Sequence, residues 1–238
     1  MIEQLLSPSR EAWVVEPGIW SVLPRSSPRQ RYDARVKAYD LVVGNRTYNR
    51  IFWGSSASKY MRFADASVSS RESGWHLDAG CGSLIFSAHS YARHPYRPIV
   101  LLDRSVGMLR QARSRLEKLQ PPREAPLVLL QADLLDLPFR AGIFDSVLSM
   151  GVLHLFSEPE RVLGELIRVR APSGALFLSS LVLGRSVGNA YLRLLHACGE
   201  VARPRSVAQV RAMVLRSAGR PLRIRRKGNM LFVEAGGR

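Results

Sequence analysis

Two glycines flank a cysteine directly after a short apolar run, in the stretch LDAGCGSLIF at residues 77–86. Gly80 and Gly82 permit a tight turn in which a ligand can approach the backbone closely, and N–H groups at the start of a following helix can meet its polar parts. Asp103 follows Gly82 by 21 residues, at the end of the next apolar run, where a carboxylate can accept hydrogen bonds from ribose hydroxyls. This pair of features indicates a cofactor that contains a nucleoside.

A nicotinamide dinucleotide is the first cofactor to test against this loop. Its fingerprint, G-x-G-x-x-G, requires a third glycine at position 85, where the sequence has Ile85. Without that glycine, close packing of the helix on the strand beneath a pyrophosphate is hindered. The loop therefore argues against a dinucleotide-binding oxidoreductase.

The elements that must hold this loop alternate regularly along the middle of the chain. Ser105 is a suitable N-cap for one helical pattern, and Pro159 lies near the start of another. Repeated alternation of strand and helix predicts an α/β fold with a doubly wound, mostly parallel, Rossmann-like sheet and helices on both faces. The predicted strands are short apolar runs of the kind buried on both faces, at 75–79, 98–103, 126–131, 144–150 and 175–182.

The two ends of the chain differ from this core. The first part of residues 1–72 contains several prolines and serines, and the later part has an aromatic, helical pattern. We therefore expect a largely helical cap over the cofactor face. Residues 73–238 then form the cofactor-binding domain with a basic C-terminal segment. In that segment, residues 186–217 are predicted to be helical, and two short runs around Gly228–Asn229 predict a hairpin that ends the sheet with an antiparallel strand.

Four segments, in order, carry a resemblance to a known family. LDAGCG at 77–82, LLDRSVGML at 101–109, LQADLLDLPFRAGIFDSVLSMGVLHLF at 130–156 and ELIRVRAPSGALFLSS at 165–180 together resemble the class I S-adenosylmethionine-dependent methyltransferases. The similarity is to the branch that contains small-molecule enzymes of quinone biosynthesis. It implies S-adenosyl-L-methionine (SAM) as the cofactor and methyl transfer as the reaction.

The resemblance also implies which residues contact the cofactor, and all of them follow or end predicted strands. Asp78, Gly80 and Gly82 match the motif whose backbone holds the methionine part and whose acid lies near its amino group. Asp103 matches the acid that binds the ribose. Arg104 and Met108 match residues beside the adenine. Ala132, Asp133 and Leu134 match the segment after the third predicted core strand, in which the acid, here Asp133, accepts a hydrogen bond from the adenine amine. Met150 and Gly151 match residues near the transferring methyl group.

Leu84 departs from the family pattern, which has a glycine two residues after Gly82. A leucine adopts a positive φ only at a cost. We therefore expect the helix to begin at once at this point, capped by Ser83.

Methyl transfer from a sulfonium is an in-line displacement, for which positioning and the exclusion of water matter most. An oxygen or nitrogen acceptor can also require a base, and His154, just beyond the fourth core strand, is the candidate. The alternative is a structural histidine that is hydrogen-bonded to backbone. Tyr39, Tyr48 and Trp53 are candidates to line an acceptor pocket, or they are ordinary core aromatics.

Composition limits the classes of protein to which the chain can belong. A chain of 238 residues, 46% hydrophobic, can bury one sizeable core. It has no segment typical of a signal peptide or a membrane span, so we expect a cytoplasmic protein. Two cysteines are too few for a disulfide framework, and His89 and His94 have no neighbouring carboxylate or cysteine, so no metal site is predicted.

The formal net charge of +16 is unevenly distributed. Residues 186–238 hold 11 basic and 2 acidic residues, and so +9 of that charge. Such a segment is either a solvated face or a surface for an anionic partner. The sequence favours a small aromatic, quinonoid or polyketide-like acceptor. RNA is the alternative acceptor, although no RNA-binding module is recognisable, and a non-catalytic SAM-binding or scaffold protein is the third reading.

Overall fold

One mixed sheet organises the chain in the computed structural model, which describes residues 2–25, 36–71, 73–119, 123–218 and 222–236. In spatial order the strands are β1-β2-β5-β4-β3-β6-β7-β9-β8. The five strands from β5 to β7 are parallel to one another, whereas β9 is antiparallel to β7 and to β8. The strands are β1 (Trp13–Glu16), β2 (Ile19–Ser21), β3 (Trp75–Ala79), β4 (Ile99–Asp103), β5 (Leu127–Gln131), β6 (Phe144–Met150), β7 (Arg170–Leu181), β8 (Leu222–Lys227) and β9 (Met230–Ala235).

Helices cover both faces of this sheet, as the side chains of β4 illustrate. Ile99 and Leu101 pack in one apolar cluster with helices α4 (Ala88–Ala92) and α5 (Val106–Leu119). Val100 and Leu102 pack in another with helices α6 (Pro159–Val169) and α8 (Val207–Ala218). None of the helices that the structure describes has the length and apolar composition needed to cross a membrane. The helices are α1 (Val36–Val43), α2 (Arg46–Tyr48), a π-helix (Asn49–Trp53), α3 (Ala57–Val68), α4 (Ala88–Ala92), α5 (Val106–Leu119), α6 (Pro159–Val169), α7 (Ser186–Ala197) and α8 (Val207–Ala218), with 3₁₀ turns at Ile2–Gln4 and Leu153–Leu155.

Local features of the sequence account for the ends of these elements. The hydroxyl of Ser105 accepts a hydrogen bond from the Met108 N–H at 3.1 Å, which confirms it as the N-cap of α5. Pro159 occupies the first turn of α6, where its missing N–H costs nothing. The doubly wound fold predicted from the alternating pattern is confirmed, including the antiparallel C-terminal hairpin around Gly228.

The N-terminal segment contributes to the sheet as well as to the cap. Strands β1 and β2 form a hairpin closed at Pro17 and Gly18, the latter with φ +78°, and β2 pairs in parallel with β5. Ile19 is fully buried there. The helical part of the segment lies in residues 36–68, and the division of the chain at residue 72 stays a prediction.

Burial of Ile19 predicts that the hairpin contributes directly to stability. Ile19→Ala should lower the free energy of unfolding by about 2–5 kcal/mol, because it leaves a cavity beside β5. Val14→Ala on β1 is the control, since Val14 is 53% exposed, and should change it by about 0.5 kcal/mol or less. Denaturant unfolding measures both. Equal effects would mean that the hairpin does not pack on the sheet in solution.

Candidate functional site

The carboxyl ends of three adjacent strands, β4, β3 and β6, bring the glycine loop and Asp103 together. The two carboxylate oxygens of Asp103 accept hydrogen bonds from the Gly82 N–H at 2.8 Å and the Ser105 N–H at 2.9 Å. Asp103 therefore ties the loop after β3 to the start of α5. In an open α/β sheet this edge is where ligands bind.

Three glycines with positive φ shape this edge. A methyl group on Gly80 (φ +78°) would lie 2.7 Å from Cγ2 of Val152, so the chain requires glycine there. Gly82 (φ +54°) and Gly151 (φ +72°) differ, because a methyl group on either would meet no atom within 4 Å. The backbone thus faces open space at the ends of two neighbouring strands, β3 and β6. This is room into which a ligand can fit.

Leu84 adopts the conformation that the sequence argued against. Its φ is +59°, and α4 begins only at Ala88, so the expectation of an immediate helix is wrong. The side chain is 1% exposed and packs with Ala88, Tyr91 and Leu109. Burial of a leucine is worth about 2 kcal/mol, which offsets the cost of the left-handed backbone.

Asp78 lies below the loop in a buried chain of hydrogen bonds. Its carboxylate accepts from the Tyr91 hydroxyl at 2.7 Å. Because the Tyr91 hydroxyl donates its proton to Asp78, it accepts a hydrogen bond from Nε2 of His76 at 3.3 Å. Nδ1 of His76 then accepts a hydrogen bond from the Ser146 hydroxyl at 2.7 Å. Burial lowers the pKa of His76 to about 3, so the ring is neutral, in agreement with this pattern.

Burial also raises the pKa of Asp78 to about 7. The charge of Asp103 raises this pKa further, whereas the hydrogen bond from Tyr91 lowers it. A carboxyl group in this state ionises readily when a cation binds beside it. Asp78 is therefore suited to meet a positively charged ligand group.

A cleft of about 490 Å³ lies beyond Asp103, on the β5 side of the sheet. Arg104 and Asp133 form an ion pair there at 3.1 Å, and Asp133 also accepts from the Leu135 N–H at 3.0 Å. Residues 22–24, which follow β2, form part of the cleft wall. Sequence reasoning missed this contribution of the N-terminal segment. The remaining matched residues on this side, Met108, Ala132 and Leu134, are buried.

On the β6 side, Met150 is half-buried and packs against an aromatic cluster formed by the cap and α7. The Tyr191 ring lies 4.3 Å from that of Phe52 and 5.4 Å from that of Trp53, and its hydroxyl is 3.3 Å from the Tyr48 hydroxyl. The sequence singled out Tyr48 and Trp53 but missed Tyr191 and Phe52.

Tyr39 belongs to α1, but its side chain lies outside the described residues. The next residue, Asp40, is a contact that sequence reasoning missed. Its carboxylate accepts hydrogen bonds from the Ser83 hydroxyl and from Arg115, the latter at 2.8 Å, and Arg115 also donates to the Ser83 carbonyl. Asp40 thereby fastens α1 to the glycine loop. Nothing in the local sequence distinguishes it from a solvated helix carboxylate.

His154 lies in the short turn after β6. Its Nδ1 accepts a hydrogen bond from the Leu181 N–H at 3.3 Å, and its ring lines a small cavity with Pro159 and Met213, from α6 and α8. Burial, with the charge of Arg205, lowers its pKa to about 4. The ring is therefore neutral near pH 7, with its basic nitrogen already in contact with backbone.

The backbone at Leu84 predicts an unusual order of stabilities. Leu84→Ala should lower the free energy of unfolding by about 2–5 kcal/mol, and Leu84→Gly by about 1 kcal/mol less, because glycine tolerates the positive φ. Leu109, fully buried in α5, is the matched control, where glycine should be about 1 kcal/mol worse than alanine. Denaturant unfolding of the four variants gives both orders. The same order at both positions would contradict a left-handed Leu84.

The raised pKa of Asp78 predicts a pH-dependent gain in stability on replacement. The folded protein holds this proton more tightly than the unfolded chain does, whose value is near 3.8. The stability that the proton confers is therefore lost as pH rises from about 4 through 7. Asp78→Asn imitates the protonated form, so its gain in unfolding free energy should be about 2–3 kcal/mol larger at pH 8 than at pH 5.

Thermal unfolding at the two pH values measures this difference for Asp78→Asn. Asp136→Asn is the surface control, since the Asp136 side chain is 62% exposed. Equal shifts for Asp78→Asn at pH 5 and pH 8 would mean that Asp78 does not titrate in this range.

The chain is similar to known methyltransferases in sequence and in fold. The family described as the methyltransferase domain matches residues 77–178. The malonyl-[acyl-carrier protein] O-methyltransferase of Legionella pneumophila is 33% identical over 147 residues, 62% of this chain and 45% of that protein. The demethylmenaquinone methyltransferase of Thermus thermophilus is 36% identical over 100 residues, 42% of this chain and 44% of that protein.

A solved structure shares the fold. It is that of a SAM-dependent methyltransferase, a possible histamine N-methyltransferase, from Thermotoga maritima. With a TM-score of 0.62 and 13% identity, the similarity covers 87% of this chain and 98% of that one. The chain spans about a third to a half of the length of most curated relatives that it matches. Residues 77–178 are thus similar to a methyltransferase domain, and the chain has the fold of a solved methyltransferase.

Proposed function

We propose that the protein transfers a methyl group from SAM to an oxygen, nitrogen or carbon atom of a small-molecule acceptor. One observation in the structure supports this proposal in addition to the similarity to methyltransferases. A methyl group on Gly82 or Gly151, at the ends of adjacent strands, would meet no atom within 4 Å, and the Gly82 N–H contacts the carboxylate of Asp103. A side chain at either glycine would enter this space, so its absence supports a cofactor that approaches the backbone here.

The residues around that space suit the three parts of SAM. Asp78, whose burial raises its pKa to about 7, would ionise beside the amino group of the methionine part. Asp103 would accept from the ribose hydroxyls while it holds the Gly82 N–H. Arg104 and Asp133, paired at 3.1 Å, would face the adenine in the cleft that residues 22–24 complete.

When bound, SAM supplies a methyl group on a positively charged sulfur, which an acceptor atom takes by in-line displacement. The contribution of the protein is to fix both partners and to exclude water. Met150 and Gly151 would lie beneath the methyl group. The Gly151 N–H is held at 3.0 Å by the carbonyl and hydroxyl oxygens of Ser179, so this part of the backbone is rigid before an acceptor arrives.

The cap suits a planar, apolar acceptor. Tyr48, Phe52 and Tyr191 are each partly exposed and meet ring to ring, next to Met150 in the same cluster. Aromatic side chains at this position can stack on a ring-shaped molecule. The demethylmenaquinone methyltransferase among the relatives supports a quinonoid acceptor as the first choice.

His154 remains the candidate base, but its contacts favour a structural role. Its Nδ1 already accepts from the Leu181 N–H, so taking up a proton at that atom would break the hydrogen bond. An acceptor atom that has lost its proton before the transfer needs no base from the protein. The cytoplasm remains the proposed location, supported by Cys81 and Cys198, both free thiols.

Binding of SAM tests the proposal most directly. The folded protein should bind SAM saturably in calorimetry, and Asp103→Asn should weaken the affinity about ten- to hundred-fold, because hydrogen bonds to a charged group are lost. Asp65→Asn is the matched control, since Asp65 pairs with Arg93 on the surface, and should leave the affinity unchanged. Absence of binding to folded protein would overturn the proposed function, and an unchanged affinity for Asp103→Asn would overturn the ribose assignment.

A further inference from the structure

Six basic side chains from three parts of the chain meet at one rim of the molecule. We call them the basic rim: Arg50, Lys59, Arg62, Arg185, Arg226 and Lys227. Among the residues that the structure describes, none of the six forms an ion pair with a carboxylate. Five of them are exposed, and Lys59 is half-buried. The rim is therefore a concentration of uncompensated positive charge.

Contacts between the three segments hold the rim together. Arg185, just before α7, donates to the Arg50 carbonyl at 3.3 Å. A methyl group on Gly184 would lie 2.9 Å from Nη1 of Arg226, so the β8–β9 hairpin reaches the start of α7. Burial, together with the charges of Lys227 and Arg62, lowers the pKa of Lys59, as expected where like charges are close.

The rim lies at the same edge of the sheet as the candidate site. Met230, the first residue of β9, pairs with Leu181, the last residue of β7. The β8–β9 turn therefore sits at the carboxyl ends of the parallel strands. The Asn229 N–H donates to the Trp53 carbonyl at 2.9 Å, which joins this turn to the aromatic cap. A surface that docked on the rim would face the side on which an acceptor enters.

Aliphatic side chains continue the rim on α7 and the cap. Val187 and Leu194 are 51% and 57% exposed, and Ala190 lies between them on the same helix face. Ile51, which follows Arg50, is 50% exposed. We call these four residues the aliphatic stripe. The outward face of a surface helix in a water-soluble protein is normally polar, so this stripe is suited to an apolar partner.

We propose that the basic rim and the aliphatic stripe dock the protein on an anionic phospholipid surface. Lysine and arginine attract acidic headgroups, and adjacent aliphatic side chains enter the boundary between headgroups and acyl chains. The charge would suit RNA as well, but exposed aliphatic side chains have no counterpart in phosphate or base contacts. The combination of both features therefore favours lipid.

Co-sedimentation of the full chain with large unilamellar vesicles tests this docking. We expect binding to vesicles of phosphatidylcholine mixed with phosphatidylglycerol, none to phosphatidylcholine alone, and weaker binding as salt rises. The double variant Arg226→Gln, Lys227→Gln should lower the partition coefficient roughly 25-fold, or about five-fold for each charge. Absence of binding to the mixed vesicles at low salt would overturn the proposal.

A control with the same change in charge separates the rim from the general basicity of the chain. Arg211 and Arg216 are exposed on α8, whose core residues pack in the cluster on the opposite sheet face from the cap. Arg211→Gln with Arg216→Gln should keep the partition coefficient within about two-fold of the wild type. An equal loss in both double variants would show attraction by net charge alone and would overturn a specific rim.

Leu194→Ser separates lipid from other anionic partners, because it leaves the charge unchanged. It should lower binding to the mixed vesicles several-fold, whereas an unaltered partition coefficient would mean that the stripe does not enter lipid and would overturn the proposal. Docking does not depend on the proposed function, so SAM binding is measured on the same samples. Protein that binds SAM but no vesicles contradicts docking alone, and protein that binds vesicles but no SAM contradicts the proposed function alone.

Discussion

The carboxylate of Asp103 is the point on which the site depends. One oxygen holds the Gly82 N–H and the other the Ser105 N–H, so a single side chain connects the loop after β3 to the first turn of α5. These hydrogen bonds orient a negative charge at the edge of the sheet without help from a ligand. The pairing of β3 between β4 and β6 then brings Gly151 to the same edge of the sheet. A candidate cofactor site thus arises from strand order and one acid.

The loop itself is built at a cost in stability. Leu84 has a left-handed backbone that leucine rarely adopts, and Asp78 is a buried carboxyl group whose pKa rises to about 7. The surrounding core offsets both costs, through the apolar contacts of Leu84 and the hydrogen bond from Tyr91 to Asp78. Strained or desolvated groups persist only where their surroundings hold them firmly, and here both are buried within four residues of Gly82.

The N-terminal segment closes the site at three places. Residues 22–24 form a wall of the cleft beyond Asp103, Asp40 joins α1 to Ser83 in the glycine loop, and Tyr48 and Trp53 join the cap to Tyr191. In the proposed function, the three contacts would lie beside successive parts of SAM, from the adenine end to the acceptor side. The segment therefore acts as part of the site as well as its cover.

The central sheet could be predicted from the sequence because strands buried on both faces leave continuous apolar runs. The helix starts at Ser105 and Pro159 could be predicted because capping is local. Four motifs in order also predicted the similarity to methyltransferases that the match over residues 77–178 confirms. Features that depend on distant partners could not be predicted from the sequence. They are the positive φ of Leu84, which burial offsets, the pairing of β2 with β5, the contacts of Asp40 with Ser83 and Arg115, and the contact of His154 with Leu181. Such contacts leave no periodic trace, because each joins residues that are far apart in the chain.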